Sequence, residues 1–368
     1  MILYINGNYP HHSLHCELVY KLAELGESIT VFVPMKETKL EGKYRCSHPK
    51  VKIIYSNCLK TIDSVFFIHK TIKIAKRIEQ EVDMTKVESV LAGTMYSDGV
   101  VAYLLHKKYH MPYSFAVRQT DITYQMKWRP YLNGLIRKIL ENATNIIFLS
   151  HAYKRYIDRF EIKEKKYQVI PNAVNDYWFD LQKHSRIIHN PISLIYVGEI
   201  TKNKNLSTTI QTVALLNNEN IPTCFHIIGS GPEENSSKQL ANRLGIADKV
   251  FFHGWKTEKE AIKKAYDQSD IFIMPSYKET FGTVYIEALT QGLPIIYTKN
   301  QGIDGYFDDG SVGYSCSPTD INDIASKIKL IIHNYESISK RCFDQSNRFT
   351  WNIVARQYKD VLDNMRVK

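Results

Sequence analysis

Apolar and polar positions follow a repeating pattern. Short runs rich in Ile, Val, Tyr and Phe alternate with longer stretches whose apolar residues recur at helical spacing. Runs at residues 2–6, 29–33, 51–55, 89–93, 113–117, 145–149 and 168–170 predict a first series of strands. A second series begins afresh at 193–197, 224–228, 250–253, 271–274 and 294–297. Strand then helix, repeated, is the pattern of βα units around a parallel sheet, and here it occurs twice. Residues 181–191, polar and basic without periodicity, predict a linker between the two series. Residues 349–362 carry apolar positions at helical spacing with Thr350 placed as a cap, which predicts one closing amphipathic helix. The organisation expected is therefore an α/β domain over 1–185, a second over 186–345 and a helix within 346–368. Ligands of open α/β sheets bind outside the carboxyl ends of the strands, so a ligand is expected in a cleft between the two domains.

Composition supports a folded chain. The 368 residues are 44% apolar, 12% aromatic and 23% charged, without low-complexity tracts, which suits two domains and excludes disorder. No apolar run approaches the roughly 18 residues that cross a bilayer. Met1 leads directly into ILYIN, without the pattern of a secretory leader. The six cysteines (Cys16, Cys46, Cys58, Cys224, Cys316, Cys342) form no CxxC pair, so neither a zinc site nor a disulfide framework is expected, and a reducing cytoplasm fits. Charge adds one asymmetry. Residues 1–185 hold 27 Lys and Arg against 18 Asp and Glu, whereas 186–368 hold 21 against 20. The first half is suited to an anionic surface, lipid headgroups or nucleic acid, or to plain solvation.

Four segments carry candidate chemistry, each after a predicted strand. In YKETFGTVYIE (277–287), Glu279 and Glu287 are eight residues apart. A helix starting near Gly282 would turn its free N–H groups and positive dipole end toward a phosphate. Both carboxylates could then accept from a polyhydroxylated ligand, although a first-turn charge and a solvated helix residue fit the same positions. In VGEITKNKN (197–205), Gly198 permits a tight turn and Lys202 and Lys204 could meet an anion. IGSGPE (228–233) brings Gly229 to a strand end, and Trp255 in HGW (253–255) could edge a nucleobase or be buried.

Taken in order, VGEIxKNK, IIGSGPE, FHGW, MPSxxETFGTVYIEALxxGLP and FTWxxVxxxY resemble the donor half of the GT-B glycosyltransferases, in particular the retaining group 1 enzymes of family 4. VIPNAV (169–174) resembles the interdomain stretch of that family, and Ser150 begins a helix after a strand as in the family. The resemblance implies two Rossmann-like, doubly wound domains facing across a cleft, with the last helix crossing back to the first domain. It also implies an enzyme that moves a sugar from a nucleoside-diphosphate sugar to a hydroxyl acceptor with retention and without a metal. By resemblance, Glu287 binds the donor ribose and Glu279 the transferred sugar. Backbone amides of Phe281, Gly282 and Thr283 face the donor phosphates, and Lys204 neutralises the leaving diphosphate. Fixed donors and a cation at that point stabilise developing negative charge.

Two positions depart from the family. Glu199 stands where an arginine is usual, so either Lys202 supplies the second cation or Glu199 points away. Arg118, in VRQTD (117–121), stands where a histidine is usual, while Asp121 is kept. Arginine stays protonated and cannot act as a base, but it can hold sugar hydroxyls or phosphate; an Arg118–Asp121 ion pair is the structural alternative. In NGNYPHHS (6–13), Gly7 matches a family glycine near the donor, and His11 and His12 are candidates for acceptor contact. The segment YQMKWRPY (124–131) followed by LIRKIL (135–140) suits a membrane surface, with Trp128 and Tyr131 at headgroup depth and Lys127, Arg129, Arg137 and Lys138 on anionic lipid, or else a core-packing helix.

The function expected is transfer to a glycan or polyprenyl-diphosphate-linked acceptor in bacterial surface polysaccharide assembly, in the cytoplasm or at the inner membrane face. An inactive relative that binds nucleotide without transfer is the alternative that Glu199 and Arg118 raise. An NAD-dependent oxidoreductase is disfavoured, since no GxGxxG with an acid about 20 residues on follows the first strand. No nucleic-acid-binding module is recognised.

Overall fold

The computed structural model describes residues 1–162, 167–180 and 186–366. The chain divides into two compact units. The first comprises Met1–Leu149, Tyr153–Ala173 and the chain from Trp351 onward; the second comprises Ser150–Ala152 and Val174–Thr350.

In the first unit, β1 (Ile2–Ile5), β2 (Ile29–Pro34), β3 (Val51–Ser56), β4 (Ser89–Ala92), β5 (Tyr113–Val117), β6 (Asn145–Phe148) and β7 (Tyr167–Val169) form a parallel sheet in the order 3-2-1-4-5-6-7. In the second, β8 (Ile192–Val197), β9 (Thr223–Ile228), β10 (Val250–Phe252), β11 (Ile271–Met274), β12 (Ile295–Thr298) and β13 (Gly313–Cys316) form a parallel sheet in the order 10-9-8-11-12-13. Both are doubly wound, and the strand order reverses between β1 and β4 and between β8 and β11. The central strands are buried on both faces, which is why they read as continuous apolar runs rather than as alternation. Strand β13 escaped the sequence reading because GYSC carries no apolar run. Gly313 lies so close to β12 that a Cβ there would stand 1.9 Å from the carbonyl oxygen of Ile295.

The closing helix, Trp351–Arg366, packs within the first unit against the helix Leu14–Glu24, burying Trp351, Val354, Tyr358, Leu362 and Met365. Its end is latched electrostatically. Glu27, 4% exposed, accepts from Lys359 Nζ at 2.8 Å and Arg366 Nη1 at 2.9 Å. Burial alone would raise the Glu27 carboxyl, and the two cations together hold it below its ordinary value. Thr350, expected as a cap, pairs with Val174 in a short parallel bridge.

The division of the chain lies at Ala173–Val174 rather than at 185–186. Trp178 is 3% exposed in the core of the second unit and carries 174–180 with it. Of the expected linker, 181–185 lie outside the described residues. Arg186 is buried instead of loose, its guanidinium donating to the carbonyls of Gln291 at 3.0 Å and Tyr266 at 2.9 Å.

Candidate active site

In the second unit, the loops after β8 and β11 meet where the strand order reverses. The loop after β8 closes in a 3-10 turn, Lys202–Lys204, and Asn203 in that turn fastens it to the loop after β11. The Asn203 amide donates to the Lys278 carbonyl at 2.8 Å, its Oδ1 accepts from the Lys278 N–H at 3.1 Å, and its backbone carbonyl accepts from the Tyr277 N–H at 2.9 Å. Asn205, in the left-handed region at φ +56°, donates to the carbonyl of Pro275 at 3.2 Å. These amide bonds set Lys204 against Glu279: Lys204 Nζ donates to Glu279 Oε2 at 2.6 Å, with both side chains mostly buried. The other carboxylate oxygen accepts from the Thr280 N–H at 2.9 Å.

Directly after Glu279 the chain turns into the helix Thr283–Thr290, whose N-cap is Gly282 at φ +81°. A Cβ on Gly282 would stand 2.6 Å from the Tyr285 ring, so only glycine fits. Phe281 is 1% exposed and anchors the turn, its ring 5.5 Å from that of Tyr306 and 5.8 Å from that of Phe349. Its part in the site therefore falls to its backbone. The first-turn N–H groups of the helix, Thr283 among them, precede any carbonyl of their own helix and so present an anion-binding end above β11. Further along the helix, burial pushes the half-buried Glu287 carboxyl up to about 7, against the pull of Lys259.

The loops after β8, β9 and β10 pack on one another. The Gly198 N–H donates to the Ile228 carbonyl and the Gly229 N–H to the Gly254 carbonyl, each at 2.9 Å. A Cβ on Gly229 would lie 1.8 Å from the Gly198 carbonyl oxygen. Gly229 is thus required by the packing of the two loops before any ligand is considered. Trp255, next to Gly254, is 56% exposed, which rules out the buried alternative. Glu199 is exposed, and its carbonyl, not its carboxylate, accepts from the Tyr196 hydroxyl at 2.7 Å. Lys202 is exposed as well and lines a depression of about 240 Å³ with Arg243 and Tyr277, so it does not join the Lys204–Glu279 pair.

In the first unit, a cavity of about 470 Å³ lies at the carboxyl ends of β1, β2, β4 and β5, lined by Gly7, His11, Lys70, Thr94, Asp98 and Asp121 among others. Asp121 is 2% exposed, and its oxygens accept three backbone N–H groups: Met95 at 3.1 Å, Tyr96 at 3.1 Å and Arg118 at 2.9 Å. Its carboxylate is thereby engaged in tying together the ends of β4 and β5. The Arg118 guanidinium does not pair with it and instead donates from Nε to the Gly93 carbonyl at 3.1 Å. His11 and His12 are exposed; partial burial followed by the nearby Arg118 charge draws the His12 pKa below its ordinary value.

Asp98 and Lys70 went unnoticed in the sequence, because one acid in a helix's first turn and one lysine among many carry no pattern. Asp98 is 2% exposed, accepts from the Thr94 hydroxyl at 3.1 Å and from the Gly7 N–H, and burial raises its pKa to about 7. Burial lowers that of Lys70 across the cavity. Among the described residues no group of three His, Cys, Asp or Glu side chains is arranged to hold a metal, and no helix is long and apolar enough to cross a membrane.

Comparison with known proteins agrees with this layout. Residues 179–347 match the family described as Glycosyl transferases group 1, and residues 16–177 match Glycosyltransferase Family 4. The chain is 27% identical over 223 residues to the N-acetyl-alpha-D-glucosaminyl L-malate synthase of Bacillus anthracis, covering 59% of this chain and 57% of that protein. It is 26% identical over 305 residues to a probable sucrose-phosphate synthase of Thermosipho melanesiensis, covering 74% and 70%. It is 26% identical over 186 residues to a putative colanic acid biosynthesis glycosyltransferase of Salmonella typhimurium, covering 48% and 46%. Among solved structures, the sucrose-phosphate synthase of Thermosynechococcus elongatus superposes with a TM-score of 0.77 at 18% identity, covering 100% and 99% of the two chains. The lipopolysaccharide outer core galactosyltransferase WaaB gives 0.79 at 15%, covering 98% and 99%. Anabaena HepE, solved in complex with UDP, gives 0.74 at 15%, covering 98% and 99%. The architecture is that of the GT-B glycosyltransferases.

Proposed function

We propose, for a chain that belongs to the group 1 glycosyltransferases of family 4, that the second unit binds a nucleoside-diphosphate sugar and that the sugar passes with retention, without a metal, to a hydroxyl of a glycan or lipid-linked glycan. The observation that carries this reading is the Lys204–Glu279 pair, 2.6 Å apart, beside the open N-terminus of Thr283–Thr290 where the order of the second sheet reverses. A diphosphate placed over that helix end meets the N–H groups of Phe281, Gly282 and Thr283 and the ammonium of Lys204. Glu279 then stands where a sugar hydroxyl can donate to it. Glu287, drawn out of water, accepts from the ribose hydroxyls, and Trp255 offers an exposed ring to the base.

In transfer, the bond from the anomeric carbon to the leaving phosphate oxygen breaks and a bond to the acceptor oxygen forms. The acceptor proton passes to the departing phosphate, whose growing charge Lys204 and the helix end stabilise without a bound cation. The acceptor is assigned to the first-unit cavity, where His11 and Asp98 supply hydrogen-bonding groups. Relatives named for colanic acid and lipopolysaccharide core synthesis, together with the basic first half of the chain, favour a place in bacterial surface polysaccharide assembly. Incubation with UDP-, GDP- and ADP-sugars in the presence of a chelator tests the chemistry. Transfer that persists and keeps the donor's anomeric configuration is expected. An inverted product, or activity that vanishes with the chelator, contradicts it.

A further inference from the structure

Outside both candidate sites, the first unit carries a surface whose chemistry is unaccounted for. The segment 61–72 exposes Ile62, Val65, Phe66 and Ile72 at 56%, 69%, 58% and 41%, and Trp128 and Tyr131 are exposed at 63% and 69%. The two segments are neighbours in space: the Arg129 guanidinium donates to the Ser64 carbonyl at 3.3 Å and lies 4.6 Å from the centre of the Phe67 ring. The helix Phe67–Glu81 explains how apolar residues come to face water. Its inward face buries Phe67, Thr71, Ile74 and Ile78, so that Ile68 and Ile72 remain on the outer side.

Beside this ridge lies a depression of about 490 Å³ lined by Lys60, His69, Lys73, Lys76 and Arg77 with no acid among its lining residues. Asp63 and Glu81, nearby, are committed to Lys73 at 2.8 Å and Arg77 at 2.6 Å, while Lys60 and Lys76 have no ion pair among the described residues. A basic hollow next to an exposed aliphatic and aromatic ridge matches the interface of an anionic bilayer. Phosphate headgroups meet lysine there, and Trp and Tyr rings settle at headgroup depth.

We propose that residues 60–77 and 127–131 form a membrane-docking surface, the hollow of Lys60 and Lys76 receiving a lipid phosphate and Phe66, Ile72, Trp128 and Tyr131 entering the interface. The sequence pointed to 124–140 alone. The structure adds the strip 60–77 and leaves the helix Asn133–Asn142 with its apolar Ile136, Ile139 and Leu140 buried in the core. The docking surface is argued from the first unit alone and does not depend on the donor reading of the second unit.

Co-sedimentation with vesicles tests it. The full chain should bind vesicles of equal parts phosphatidylglycerol and phosphatidylcholine, weaken with salt, and leave pure phosphatidylcholine largely unbound. Lys60→Glu with Lys76→Glu should weaken binding by about fivefold or more for each charge. Phe66→Ser with Trp128→Ser should weaken it at every salt concentration, while the thermal unfolding midpoint and far-UV circular dichroism, read in parallel, stay as in the parent and report an intact fold. Equal binding to both vesicle types, no binding to either, or unchanged binding by the charge variants would each overturn the proposal. So would dimerisation abolished by Phe66→Ser, which would mark the ridge as an interface between copies.

Discussion

Lys204 Nζ and Glu279 Oε2 are 2.6 Å apart across two loops 75 residues distant in sequence, and the side chain of Asn203 bridges the same two loops. The pair leaves the cation in place before any diphosphate arrives. Such preorganisation stabilises charge that develops late in a reaction more than charge already present in the ground state. Lys204→Ala should therefore lower kcat by about a hundredfold or more while nucleotide affinity changes much less. Steady-state kinetics on the variant checks the split, and a loss confined to KM would contradict it.

Glu287 gives a pH signature. Its carboxyl titrates near 7 in the folded chain against an ordinary 4.5, so its contribution to stability is fully present below pH 4.5 and is lost as pH rises through 7. Glu287→Gln should raise the Tm of the ligand-free protein at pH 8 by a few degrees and change it little at pH 4. Ribose hydroxyls need the ionised form, so nucleotide affinity in the parent should tighten between pH 6 and 8 by more than in the variant. Calorimetric titration across that range reads the difference, and parallel curves would contradict the assignment.

Gly229 separates architecture from chemistry. With a Cβ 1.8 Å from the Gly198 carbonyl oxygen, Gly229→Ala must push two loops apart. A loss of about 3 kcal/mol in denaturant stability is expected, near the upper end for overpacking. An alanine variant as stable as the parent would show that the loops do not pack as described.

The latch on the closing helix offers a second pH dependence of opposite sign. The two cations hold Glu27 below its ordinary value, so its stabilisation is present above pH 4.5 and is lost as pH falls further. Glu27→Gln leaves Lys359 and Arg366 without their buried partner and should cost about 3 kcal/mol at pH 7, at the low end for breaking a buried pair. The difference from the parent should shrink toward pH 3. Urea unfolding at the two pH values measures it.

Much of this organisation was legible in the chain because buried parallel strands are apolar throughout. Twelve of the strands, among them Ile271–Met274 and Tyr113–Val117, stand within a residue or two of where the apolar runs fall. The helix beginning after Gly282 was legible for a similar reason, a glycine at a forced turn. The boundary near 185 misled because composition registers polarity, not anchoring. Arg186 is polar and buried at once, and Trp178 ties its segment to the second core. The role of Asp121 was illegible because its three partners are backbone N–H groups, which leave no trace in side-chain identity. Asp98 and Lys70 are joined by tertiary burial alone, and Phe66 and Trp128 by a contact between segments some 60 residues apart.

The central claim is that the second unit holds a nucleoside diphosphate at the helix end beside Lys204 and Glu279, with Glu287 on the ribose. Thermal stabilisation by UDP, GDP, ADP and NAD, measured on the parent and on Glu287→Ala, tests it most directly. One nucleoside diphosphate at about a hundred times its Kd should stabilise the parent by about 2.7 kcal/mol, and the variant should lose that response. Stabilisation by NAD instead, no response to any of the four, or an undiminished response in Glu287→Ala would contradict it.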